Sequence, residues 1–363
     1  MRDPHRPAWL PWQPREVLAA LARTDVQPHA AAVLLVLGAE GSTPAKAGTK
    51  ALLLSDRTLV GTVGGGLVEA EACRRALEAG QRQQAEVVQM SLHGPPGPVC
   101  GGRMRILIDP LPQRHRGAWA QAAACLEQRS AGLLFTRVVH GTATEVEVSF
   151  LGLPDLERWT GWPPIEELRS VMAAEQPRLF AGAAGSGLPG EVLVEPLLPA
   201  PRLVIAGAGH VGQAVAAVAH LVGMDVVVID DRPEFAHPQR FPPETQVRLG
   251  PIAQELAGLD LDAATYVVIV TRNHRLDAEA LGACLGRPAA YVGMIGSRRK
   301  VAEVRDQLLA EGRTSPEEFD RVHAPIGLDL GAVTVPEIAV SIIAEIIAAR
   351  RRRTRPQARK ADR

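Results

Sequence analysis

A chain of 363 residues with 46% hydrophobic content is long enough for two or three domains, each with its own core. Lys+Arg and Asp+Glu both number 40, so no net basic field draws the protein to nucleic acid or to an anionic membrane. Its 4 cysteines, none in a CxxC pair, argue against a disulfide scaffold or zinc knuckle and for a reducing compartment.

The N-terminus, MRDPHRPAWLPWQPRE, is broken by prolines and has no apolar run of signal-peptide length. No stretch approaches the roughly 20 apolar residues of a membrane helix. The expected location is therefore the cytoplasm. Residues 15–23 predict a short amphipathic helix, and the apolar run 30–37 (AAAVLLVL) a buried strand. A polar loop follows, then a strand at 50–54 and a glycine-rich run that opens a helix reaching about 78. Further strands are expected at 85–90, 104–108, 133–139, 145–151 and 192–195, with a helix near 118–128. Residues 1–198 thus predict an α+β domain, whose part beyond about 113 is a candidate subdomain.

Leu198-Pro199-Ala200-Pro201 has the composition of a linker, and beyond it the pattern changes. Strand signals at 203–206, 225–229, 246–249, 266–270 and 290–294 alternate with helical stretches, and 336–350 predicts a closing helix. Alternation of this kind gives an α/β domain over 199–350: a Rossmann-type parallel sheet with helices on both faces. The basic tail 351–363 is expected to be solvated.

The run Gly207-Ala208-Gly209-His210-Val211-Gly212 follows a strand and opens a helix, the context that gives GxGxxG its meaning. Gly207 makes the tight turn, Gly209 lets the backbone approach a phosphate, and Gly212 lets helix and strand pack closely. The helix N-terminus then faces the anion. Asp230, at the end of the next strand, stands where a ribose hydroxyl is bonded. Asp231 disfavours a 2′-phosphate and Arg232 favours one, which leaves NAD and NADP both open. Gly296-Ser297-Arg298-Arg299-Lys300 ends another strand and begins another helix, a second candidate anion cradle beside a plain capped helix. His274 and Asp277, just beyond the fourth strand, are candidates to orient or protonate a ligand, and His210 to bond one or to cap the helix.

In the first domain, Glu40-Gly41-Ser42-Thr43-Pro44, Gly61-Thr62-Val63-Gly64-Gly65-Gly66 and Cys100-Gly101-Gly102 are three backbone-rich turns. Ser42, Gly64, Gly65 and Gly66 are the expected ligand contacts there. Cys100 reads either as an inert thiol or as a group exposed to the ligand.

Taken together these segments resemble the xanthine dehydrogenase accessory protein (XdhC/CoxI-like) family over nearly the whole chain. The motifs are EGSTP, GTVGGG followed by Glu69, CGG, LVIAGAGHVGQAVA, VVVIDDRPEF, YVGMIGSRRK and GLDLGAVTVPEIAVSIIAEI. The sequence departs from the family pattern at Leu67-Val68, where relatives place a small residue or Cys, and at Val335. The resemblance implies a chaperone that binds molybdenum cofactor, protects it during sulfuration and delivers it to a xanthine dehydrogenase-type apoenzyme. It also implies a cysteine desulfurase and a second copy of the chain as partners. The residue chemistry adds the expectation that Cys100 touches the metal end of the cofactor and the 207–212 turn its phosphate. No catalytic residue is assigned on this reading. The alternative is an NAD(P)-dependent oxidoreductase, for which the first domain offers no evident hydride-transfer apparatus.

Overall fold

The computed structural model describes residues 12–23, 30–91, 101–182 and 190–354; Cys100 and most of the basic tail lie outside them. Two compact units result, Met1–Pro199 and Ala200–Arg363.

The first unit begins with α1 (Pro14–Ala22), β1 (Ala30–Glu40), β2 (Lys50–Leu54), β3 (Leu59–Gly61), α2 (Gly66–Arg82), β4 (Glu86–Ser91) and β5 (Arg103–Asp109). The five strands form an antiparallel sheet in the order β3-β2-β1-β5-β4. A second group follows: α3 (Arg116–Glu127), β6 (Gly132–His140), β7 (Thr144–Gly152), α4 (Ile165–Ala174), β8 (Arg178–Ala181) and β9 (Glu191–Leu197). Its four strands run antiparallel in the order β7-β6-β9-β8.

The unbroken apolar run of β1 is explained by burial on both faces. Ala32, Leu34 and Val36 point toward α2, where Ala72, Ala76 and Ala79 let the helix lie close on the sheet. Val33, Leu35 and Leu37 alternate with them and join Trp119 of α3, Leu134 of β6 and Leu193 of β9 in one core. The residues beyond 113 therefore form their own sheet but share a core with the first one.

The second unit runs β10 (Arg202–Ala206), α5 (His210–Leu221), β11 (Asp225–Asp230), β12 (Gln246–Leu249), α6 (Ile252–Ala257), β13 (Thr265–Ile269), α7 (His274–Gly282), β14 (Tyr291–Met294), α8 (Arg298–Ala310), α9 (Pro316–Phe319) and α10 (Val335–Thr354). All five strands are parallel, in the order β12-β11-β10-β13-β14. Alternate residues of β10 again serve two cores. Leu203 and Ile205 pack with Val215 of α5 and Ile343 of α10. Val204 and Ala206 pack with Leu256 of α6, Leu281 of α7 and Leu308 of α8. This is the α/β arrangement the alternating pattern predicts. The chain leaves β10 in one direction and returns as β13 on its other side, so the carboxyl ends of these two strands flank the switch point where such sheets bind ligands.

Beyond α9 the chain pairs with the outer side of β14. His323 N–H donates to the Val292 carbonyl at 2.9 Å, Met294 N–H to the His323 carbonyl at 3.0 Å, and Ile326 N–H to the Met294 carbonyl at 3.0 Å.

Candidate functional site

The 207–212 turn is shaped by steric necessity at two glycines and is open at the third. Gly207 has φ +116°, and a β-carbon there would sit 2.5 Å from the Val270 carbonyl oxygen at the end of β13. At Gly212 a β-carbon would run into the Gly207 carbonyl oxygen, which lets α5 start hard against the strand. Gly209, the N-cap of α5 with φ −68°, has no atom within 4 Å of a built β-carbon. The face of the turn over Gly209 is thus accessible to a ligand.

Asp230 lies directly behind this turn. It is 1% exposed, and its Oδ2 accepts from Ala208 N–H at 2.8 Å and from Arg232 Nη2 at 2.9 Å. Its Oδ1 accepts from Arg232 N–H at 3.0 Å and Arg232 Nε at 2.9 Å. The carboxylate therefore binds the turn and the arginine. Asp231 is more exposed and is paired with Arg272, whose hydrogen bonds bring its carboxyl down to about 2.

At the ends of β13 and β14 the structure joins two segments that lie apart in sequence. Asp277 is fully buried; its Oδ1 accepts from Thr271 N–H at 3.2 Å and from the Thr271 hydroxyl at 2.7 Å. Its Oδ2 faces the Lys300 ammonium in an ion pair. Asp277 and Lys300 thereby bind each other and hold α7 to α8. Asn273 caps α7 by accepting from Leu276 N–H at 2.9 Å, and the Ser297 hydroxyl caps α8 by accepting from Lys300 N–H at 3.3 Å. Gly296 precedes that cap, with the Lys300 side chain beside it. His210, His274 and Arg298 are exposed, and among the described residues their side chains have no hydrogen-bonding or ionic partner. They are the unengaged donors at this edge.

In the first unit the three glycine turns converge. Ser42 is exposed and bridges to Gly101. A β-carbon on Gly102 would meet the Glu40 carbonyl at 2.8 Å, and one on Gly64 would meet Pro44 Cγ at 2.7 Å. The EGSTP loop is thus clasped between the other two turns. Gly64, Gly65 and Gly66 have φ of +119°, +71° and +59°, and the last two look onto open space. Glu69 draws this turn inward: its Oε2 accepts from the Thr62 hydroxyl at 2.5 Å, Val63 N–H at 3.1 Å and Gly65 N–H at 3.3 Å. A carboxylate of the protein itself thus takes two of the turn's N–H groups. Lys50 is likewise committed, to Glu195 at 2.5 Å and the Gly48 carbonyl at 3.0 Å. Among the described residues no group of three or more His, Cys, Asp or Glu could hold a metal ion, and no helix is long and apolar enough to cross a membrane.

One cluster joins residues of the YVGMIGSRRK and GLDLGAVTVPEIAVSIIAEI motifs to a histidine outside both. Glu345 of α10 accepts from the Tyr291 hydroxyl at 2.8 Å and Gly327 N–H at 2.7 Å, and pairs with His323 Nδ1 at 2.8 Å. Burial pushes its carboxyl up, but the three partners outweigh it and hold the group below the usual range. Glu345 anchors the start of the GLDLG loop; its partners come from β14 and from the segment 323–327.

Comparison with known families settles the lineage of both units. The XdhC Rossmann domain matches residues 203–346, and the XdhC and CoxI family matches residues 26–91. The chain belongs to the XdhC and CoxI family. It is similar to the uncharacterized protein YqeB of Escherichia coli K12, at 38% identity over 194 residues. That match covers 50% of this chain and 35% of YqeB, so the chain spans about a third of that relative. A probable xanthine dehydrogenase component of Bacillus subtilis is 25% identical over 332 residues, which cover 89% of this chain and 94% of the relative. The crystal structure of a xanthine dehydrogenase from Bacillus halodurans superimposes with a TM-score of 0.75 at 24% identity, covering 96% of this chain and 98% of that one. At that identity the likeness establishes the fold of this XdhC/CoxI-family chain.

Proposed function

We propose that this chain is a xanthine dehydrogenase accessory protein that binds molybdenum cofactor, protects it during sulfuration and hands it to a xanthine dehydrogenase-type apoenzyme. The observation that carries the reading is the open Gly209 face of the 207–212 turn at the switch point of an XdhC Rossmann domain. The cofactor carries a phosphate, and a helix N-terminus at such a turn suits an anion. His210, His274 and Arg298, all unengaged, add donors at the same edge of the sheet. Cys100 is the proposed contact for the metal end, where a soft thiolate suits the metal. A cysteine desulfurase and a second copy of the chain complete the proposed set of partners, in the cytoplasm. Relatives with names from the xanthine dehydrogenase system support the client enzyme.

The test uses the full chain mixed with cofactor released from a molybdenum hydroxylase, followed by gel filtration and transfer to cofactor-free apoenzyme. Co-elution of molybdenum and recovery of xanthine oxidation are expected, with Cys100→Ala losing the sulfurated, active form. A chain that binds no cofactor but turns over NAD or NADP with a substrate would replace this reading with an oxidoreductase.

A further inference from the structure

The acidic residue at the end of the second Rossmann strand ordinarily accepts hydrogen bonds from the ribose of a dinucleotide. In this chain that position is Asp230, and its acceptor capacity is already used. A carboxylate offers about four lone-pair sites. Ala208 N–H, Arg232 N–H, Arg232 Nε and Arg232 Nη2 fill all four, at 2.8 to 3.0 Å. The last two form the parallel fork of a bidentate guanidinium–carboxylate pair, which fixes geometry as well as charge.

The arginine is itself held in place. Its guanidinium carbon lies 3.7 Å from the centre of the Phe235 ring, and Arg240 stacks on the same ring at 4.6 Å. Gln213 of α5 ties Arg240 down, donating to its carbonyl at 2.8 Å and accepting from its Nη2 at 3.4 Å. The chain from the glycine turn through α5 to the loop after β11 thus forms one braced arrangement around Asp230. The Arg232 side chain remains 26% exposed, and only part of its five N–H donors is used on Asp230. The site therefore offers a cation where a dinucleotide site offers a bare carboxylate.

We propose that Arg232 is the specificity-determining residue of the glycine turn. By closing on Asp230 it removes the acceptor for a free ribose diol, so the turn turns away NAD and ADP-ribose and favours a ligand that brings phosphate to this place. Discrimination comes from denying a partner to the wrong ligand's hydroxyls, a repulsive element beside whatever contacts the right ligand makes. The inference rests on the phosphate-binding reading of the turn given above.

The experiment titrates NADH and ADP-ribose into the full chain and into Arg232→Ala, Arg232→Met and Arg232→Ala/Asp230→Asn, following nicotinamide fluorescence and calorimetric heat. Arg232→Met keeps an apolar stem for Phe235 while removing the fork, which guards against simple loss of folding. Both single variants are expected to bind NADH and ADP-ribose at least about tenfold more tightly than the parent, and the double variant to lose that gain. Parent protein that binds NADH as tightly as natively folded Arg232→Met overturns the proposal. So does a gain that survives Asp230→Asn. Retention of molybdenum cofactor by the parent is scored separately; its failure removes the cargo reading and leaves the NADH comparison intact.

Discussion

Gly212 and Gly209 stand three positions apart and are glycine for different reasons. The first has no room for a β-carbon, because the Gly207 carbonyl oxygen is in the way. Gly212→Ala is expected to cost about 1–3 kcal/mol, the usual range for an overpacked site, seen as a lower urea midpoint. Gly209→Ala, with φ −68° and open space around the new methyl, is expected to leave that midpoint unchanged and weaken cofactor retention. Parallel losses in both variants would show that Gly209 serves the fold alone. Asp231 supplies a second check at this scale. Its carboxyl is lowered from 3.8 to about 2 by Arg272, so the pair stabilises the fold above the unfolded value and loses that contribution as pH falls through about 2. Both partners are partly exposed, which keeps the contribution below about 1 kcal/mol. Asp231→Asn should therefore cost little at neutral pH, and the difference from the parent should vanish on acidification.

Between elements, the buried Lys50–Glu195 pair ties β2 of one sheet to β9 of the other. Removing one partner of such a pair leaves an uncompensated charge, at a cost of about 3–5 kcal/mol, whereas an apolar replacement of both is often neutral. Lys50→Met should thus lower stability in urea far more than Lys50→Met/Glu195→Leu; equal losses would mean that the charges were not the reason. The same lysine marks what the sequence leaves hidden. Nothing near Lys50 in the chain announces its acceptor, which is 145 residues away. Lys300 and Asp277 are disguised in the same way: each suggests a ligand contact, and they bind one another. What was legible is local. The 207–212 turn declares itself because strand, turn and helix are contiguous, and β1 because an unbroken apolar run implies two buried faces. The pieces that escaped are β3 and β8, of three and four residues, and α4, a ten-residue helix that buries only Leu168 and Val171. The convergence of the EGSTP, GTVGGG and Gly101–Gly102 segments escaped too, since it depends on sheet order.

At the scale of the units, each has its own cores: among the described residues, three clusters in the first and two in the second. A fragment spanning 200–363 is therefore expected to unfold as one cooperative transition in urea, with coincident far-ultraviolet and tyrosine-fluorescence curves. A fragment that melts without a transition would make the second unit depend on the first.

The pairing of residues 323–326 along β14 has a consequence for how the chain is made. In this sheet β14 stands beside β13 alone, and its other side presents a row of unpaired amide and carbonyl groups until something covers it. The cover arrives only once His323 and Ile326 have been synthesised and the Glu345 carboxylate of α10 has clamped Gly327. On the ribosome the nascent sheet therefore keeps one flank adhesive until α10 has emerged. Chains that terminate early, before α10, are the ones that should aggregate through that flank.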